Sequence, residues 1–186
     1  MRAIADRRSE PALWEQWAKA ATNLMVDLCA RDPRAARTLL DDMRAIADKR
    51  NETALWEPWA KAAFNLMLDL RARDPQAARA LLDQMRAIAD RRNEPALWEV
   101  WAKAAFNLML DLRARDPQAA RTLLDEMRTI ADERNEPTLH EIYTVATIIL
   151  AHLLQQDDPA GASALIEALR TVPHDVVERA IRQLGG

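Results

Sequence analysis

Residues 43–84 read MRAIADKRNETALWEPWAKAAFNLMLDLRARDPQAARALLDQ. Residues 85–126 repeat that stretch with 5 changes in 42 positions, and residues 1–42 differ from 85–126 at 7. From Met127 the pattern returns as MRTIADERNEP and then departs. Self-similarity at a fixed period of this size is the signature of stacked supersecondary units. Copies so alike imply recent duplication or consensus design. The units are therefore 1–42, 43–84, 85–126 and a divergent 127–172, followed by 173–186, all within one repeat domain.

Each unit holds two helix starts. Ser9, Asn51, Asn93 and Asn135 precede a glutamate and, in three units, a proline; this reads as an N-cap before a proline-tolerant first turn. Asp32-Pro33, Asp74-Pro75, Asp116-Pro117 and Asp158-Pro159 place aspartate at N-cap and proline at N1. The result is a long helix A over about 10–30, 52–72, 94–114 and 136–156. A shorter helix B follows over about 33–49, 75–91, 117–133 and 159–171. Turns this short force antiparallel neighbours. Residues 1–8 carry the pattern of the last half of a helix B, and HDVVERAIRQL after Pro173 reads as a final amphipathic helix. Pro58 falls inside helix A of the second unit, where proline costs about 3 kcal/mol or more; a kink or a frayed first turn is expected.

On the first helix A, Leu13, Trp17, Ala20, Ala21, Leu24 and Leu28 share one side at helical spacing, widened by Trp14 and Met25. The opposite side carries Glu15, Lys19, Asn23, Asp27 and Arg31. The same line recurs as Glu57, Lys61, Asn65, Asp69, Arg73 and as Glu99, Lys103, Asn107, Asp111, Arg115. Residues four apart are neighbours on a helix, and Glu before Lys is the favourable order. Helix B turns Ala35, Ala36, Leu39, Leu40, Met43 and Ile46 inward, with Arg37, Asp41, Arg44 and Asp48 outward. Helices apolar over so much of their surface need partners on both sides, which stacked repeats supply.

The fold class is thus all-α. Trp17, Ala21, Leu24 and Ala36, with Trp59, Ala63, Leu66, Ala78 and Trp101, Ala105, Leu108, Ala120, resemble the tetratricopeptide repeat skeleton. The unit of 42 residues is longer than that family's usual period of about 34. It also lacks the family's glycine and tyrosine. The resemblance implies a right-handed α-solenoid with a C-terminal capping helix. It further implies a concave face, lined by helices A, that binds peptides or proteins.

Composition narrows the function classes. Of 186 residues 49% are apolar and 30% charged, with a net charge of −3, so no basic footprint points to nucleic acid. The first residues lack the apolar core of a signal peptide. The run from Ile142 to Asp157 is read as too short and too polar to span a bilayer. The single cysteine, Cys29, suits a reducing, cytoplasmic setting; it stands where Arg71 and Arg113 stand in the neighbours. His140, His152 and His174 have no metal-ligand spacing. No nucleophile, base or cofactor motif converges, so neither an enzyme nor a cofactor is expected.

Two features point to contacts. Phe64 and Phe106 border the polar line, where Thr22 stands in the first unit. With Lys19, Asn23, Lys61, Asn65, Lys103 and Asn107 they are candidate partner-binding residues. In the last helix A the line becomes Glu141, Val145, Ile149, Leu153. That apolar strip needs either the final helix over it as a cap or a subunit interface. The leading expectation is a protein- or peptide-binding scaffold. The alternative is a self-associating structural module or a fragment of a larger multidomain protein; the chain would then be a monomer or associate weakly, end to end or through its C-terminal strip.

Overall fold

In the computed structural model, which describes residues 11–184, every regular element is helical. Helices A are α1 (Pro11–Arg31), α3 (Thr53–Arg73), α5 (Pro95–Arg115) and α7 (Pro137–Leu154). Helices B are α2 (Pro33–Arg50), α4 (Pro75–Arg92), α6 (Pro117–Arg134) and the short α8 (Pro159–Ala168), which ends in a 3₁₀ turn, Leu169–Thr171. The final helix is α9 (His174–Leu184). The expected half helix at 1–8 and the cap at Ser9 lie outside the described residues. The described chain forms two compact units that divide after Trp101, within α5.

The helix starts at Asp-Pro form as read. The Asp32, Asp74 and Asp116 carboxylates each accept a 3.0 Å bond from the backbone N–H of Ala35, Ala77 and Ala119. Proline at N1 has no N–H to orphan there. Asp74→Ala should cost about 1 kcal/mol in urea denaturation. At Asp158 the Gly161 N–H donates at 2.8 Å, and Arg121 pairs with the same carboxylate. The Gly161 bond, joined by Arg121, holds the Asp158 carboxyl below its ordinary value. Glycine stands there in place of the alanine of the earlier repeats, and the Asp158 carboxylate and the Arg121 guanidinium lie where a Cβ would be.

The asparagines correct the sequence reading. Asn51, Asn93 and Asn135 do not open helix A; they close helix B, at φ of 53°, 54° and 52°. Their backbone N–H groups donate to Ala47, Ala89 and Ala131 at 2.9, 2.8 and 2.9 Å. A left-handed residue ends a helix by turning its last N–H groups back onto free carbonyls, and asparagine is the side chain that tolerates that region best after glycine. Glu52 and Glu136 then take the N-cap places of α3 and α7, with no side-chain cap bond. The turn is fastened instead by Arg50 to Glu52 at 2.8 Å and Arg92 to Glu94 at 3.3 Å. Asn93→Ala should destabilise by about 1 kcal/mol, whereas Asn93→Gly should not, in the same denaturation measurement.

In the first unit α3 packs against α1, α2 and α4. Trp56 and Trp59 are each 1% exposed, edge to face with ring centroids 5.9 Å apart. The same pair recurs as Trp14–Trp17 and Trp98–Trp101, both at 5.8 Å. Arg50 lies 5.0 Å over the Trp14 ring, and Arg91 and Arg92 lie 5.7 and 5.6 Å over Trp56. These tryptophans are core, with arginines closing the lid on two of them. Helix B buries Ala36, Leu40, Met43, Ile46 and Ala47, leaving Ala35 and Leu39 half-buried.

Two further expectations are corrected here. α3 runs unbroken through Pro58. Proline offers no N–H to the Ala54 carbonyl, but Ala54 is exposed, so water reaches that end of the helix. On α1 the buried residues are Trp14, Trp17, Ala18, Ala21, Met25 and Cys29, while Ala20 is exposed and Leu24 is 49% exposed. The periodicity gave α1 the full apolar stripe of a helix flanked on both sides. Among the described residues its main packing partners are α2 and α3. Cys29 is buried, and burial pushes its thiol above the ordinary value, which makes it a poor nucleophile.

In the second unit α7 packs against α6, α8 and α9. It buries Leu139, Tyr143, Ala146, Leu150 and Ala151. The buried Thr144 and Thr147 hydroxyls donate to the His140 and Tyr143 carbonyls at 2.7 and 2.8 Å, so no hydroxyl is left unpaired. With a mean hydropathy of 1.2 over 18 residues, α7 is long and apolar enough to cross a membrane by length and composition. That differs from the sequence reading; 39% of the span is buried, where α6, α8 and α9 pack on it.

Candidate functional site

The polar line of helix A is wet only in part: Asn65 and Asp69 on α3 and Asn107 and Asp111 on α5 are half-buried. Lys19 and Asn23 are exposed on α1, and Lys61 on α3. Lys19 and Lys61 each pair with the glutamate one turn earlier, Glu15 and Glu57, at 2.6 Å. Exposed pairs of this kind contribute roughly 0–1 kcal/mol, so a partner can exchange them at little cost. In the second unit Lys103 is exposed and Asn107 half-buried, its amide donating to the Lys103 carbonyl at 2.8 Å.

Side-by-side packing of α1 and α3 turns two of these lines into one concavity. Glu15, Lys19, Thr22 and Asn23 face Ala54, Glu57, Pro58 and Lys61 across an open cleft of about 490 Å³. The floor is fixed by a cross-helix contact: the Thr22 hydroxyl lies 3.0 Å from both the Ala18 and the Pro58 carbonyl oxygens, and donates there. Thr22 stands where Phe64 and Phe106 stand in the following repeats. The cleft is open where the repeat's own phenyl would project.

Of the candidate residues, the structure brings Lys19, Asn23 and Lys61 together. Phe64, Asn65 and Phe106 are half-buried, and Phe64 and Asn65 do not line this cleft. Thr22 and Pro58 are the residues that sequence reasoning undervalued. Both departures from the repeat were visible, but only the packing of α1 on α3 shows that they meet. On α7, Val145, Ile149 and Leu153 are half-buried. α9 packs on that helix, with Arg179 paired to Glu141 at the head of the strip and to Asp175 at 2.8 Å on its own helix.

Among the described residues no group of three His, Cys, Asp or Glu side chains is placed to hold a metal ion. His140 lies 4.0 Å from Asp132, and His174 lies 3.2 Å from Glu178, each a single surface pairing. No protein-family model, no curated protein and no solved structure matches this chain.

Proposed function

We propose that this protein is a non-enzymatic scaffold that binds a protein or peptide along its helices A, with the α1–α3 cleft as its best-formed contact. The supporting observation is that cleft: four residues from each helix frame an open concavity, with two lysine–glutamate pairs along its edges. A ligand there meets both signs of charge and exposed Lys and Asn side chains, which suits a mixed-charge peptide segment and offers little to an apolar small molecule. The tetratricopeptide resemblance supports the same reading, and the single cysteine, Cys29, suits a cytoplasmic setting.

The test compares partners recovered by the wild-type chain, by Lys19→Glu with Lys61→Glu, and by Thr22→Phe. Thr22→Phe places the repeat's own residue in the cleft, so it fills the site without a foreign side chain. Partners that depend on the cleft should be lost from both variants. Identical partner lists for all three chains would overturn the proposal. Lys103→Glu, tested alone, reports whether the second unit also makes contact.

A further inference from the structure

Among the described residues, the exposed large apolar side chains are confined to α1, α8 and α9. They are Leu24 at 49%, Val26 at 57%, Ile166 at 52%, Ile181 at 55% and Leu184 at 43%. Counted from its first residue, every later helix A buries its third and seventh positions: Leu55 and Trp59, Leu97 and Trp101, Leu139 and Tyr143. α9 buries Val176 and Ala180, the same two positions. Arg179, sixth in α9, pairs with Glu141, fifth in α7. α9 therefore turns toward α7 the face that the later helices A bury at those two positions.

That shared face assigns a role to the bare surfaces. The fourth, eighth and eleventh positions of α3 are Trp56, Ala60 and Ala63, exposed by 1, 2 and 0%. In α1 they are Trp14, Ala18 and Ala21, buried where α2 and α3 pack. In α9 they are Val177, Ile181 and Leu184, half-buried or exposed. This is the face a helix A turns toward the repeat that follows it. Ile148, Ile166, Leu169 and Val172 join Val177 and Ile181 around an apolar crevice of about 510 Å³ on the same side.

The outer face of α1 is the counterpart. Leu13, Gln16, Ala20 and Leu24 correspond to Leu55, Pro58, Ala62 and Leu66. In α3, where α1 packs alongside, all four are buried, with Leu66 at 1%. In α1 they are half-buried or exposed. This is the face a helix A turns toward the repeat before it. Among the described residues, no helix A lies against either of these two faces.

We propose that this chain associates head to tail with a second copy of itself, the outer face of α1 in one copy seating against α9 of the next. The chain already makes this type of contact internally, α3 on α1, so the occupant each surface fits is a helix of the kind the other end presents. The interface is heterologous, so an open assembly keeps one free end of each kind. It does not depend on the α1–α3 cleft.

The test is the mass of the full chain over a concentration series by sedimentation equilibrium. Wild type should rise above 21.1 kDa as concentration increases. Leu24→Glu and Ile181→Glu, both at exposed positions, should keep the helical circular dichroism and should each weaken association by more than about tenfold. Mixing the two variants should restore a dimer and stop there, because each supplies one intact end. A wild-type mass that stays at 21.1 kDa throughout overturns the proposal. So does association that survives Ile181→Glu, which would mean that α1 pairs with α1, and so does a mixture that recovers nothing.

Discussion

Trp59→Ala is expected to lower the free energy of unfolding by about 3–5 kcal/mol. Trp59 is 1% exposed, and its ring meets that of Trp56 edge to face at 5.9 Å. Truncation leaves a cavity where α3 packs on its neighbours, and that surround relaxes only in part. Buried indole N–H groups, those of Trp56 and Trp59 among them, have no hydrogen-bond partner. Edge-to-face contact is the arrangement in which an N–H can meet the ring electrons instead. Urea denaturation followed by circular dichroism measures the loss. In a repeat array contacts run only between neighbours, so the effect should appear first as an earlier transition in the unit that contains α3. A loss below about 1 kcal/mol, the size of an ordinary substitution, would show that the pair does not anchor this core.

The second large effect comes from comparing one repeat position in two settings. Leu66→Ala should cost about 2–5 kcal/mol, the range for a fully buried leucine. Leu24→Ala, at the same place in the repeat, should stay within about 0.5 kcal/mol in dilute monomer. The chemistry removed is identical; the difference is the helix alongside, since Leu66 is 1% exposed and Leu24 49%. If association is head to tail, the Leu24→Ala penalty should grow with protein concentration, because the second copy then covers that side chain. Equal penalties at all concentrations would contradict both the packing and the proposed contact.

Much of the architecture was legible because it rests on local chemistry. Asp-Pro announces a helix start through one carboxylate and one missing N–H. The Glu-Lys-Asn-Asp spacing announces a wet face that holds at Lys19, Lys61 and Lys103, while the Asn and Asp positions of α3 and α5 are half-buried. The asparagines misled for a physical reason. Asn before Glu-Pro satisfies the composition of an N-cap, and the same residue satisfies a left-handed C-cap; with two helices abutting, the choice depends on which helix's free groups need the backbone turn. The cleft was half legible. Lys19, Asn23 and Lys61 could be named from their exposure pattern. That Thr22 of one repeat lies against Pro58 of the next could not, because it depends on how far adjacent helices A are shifted along each other.

By itself, then, the sequence determined the repeat, its two helices, the tryptophan core positions and the polar line, all of which recur with the period or follow from neighbours within four residues. Only tertiary structure decided which apolar stripes are covered. Leu24 and Leu66 are the same letter in the same pattern. Burial is settled by whether another helix lies alongside, and periodicity within one helix carries no record of that.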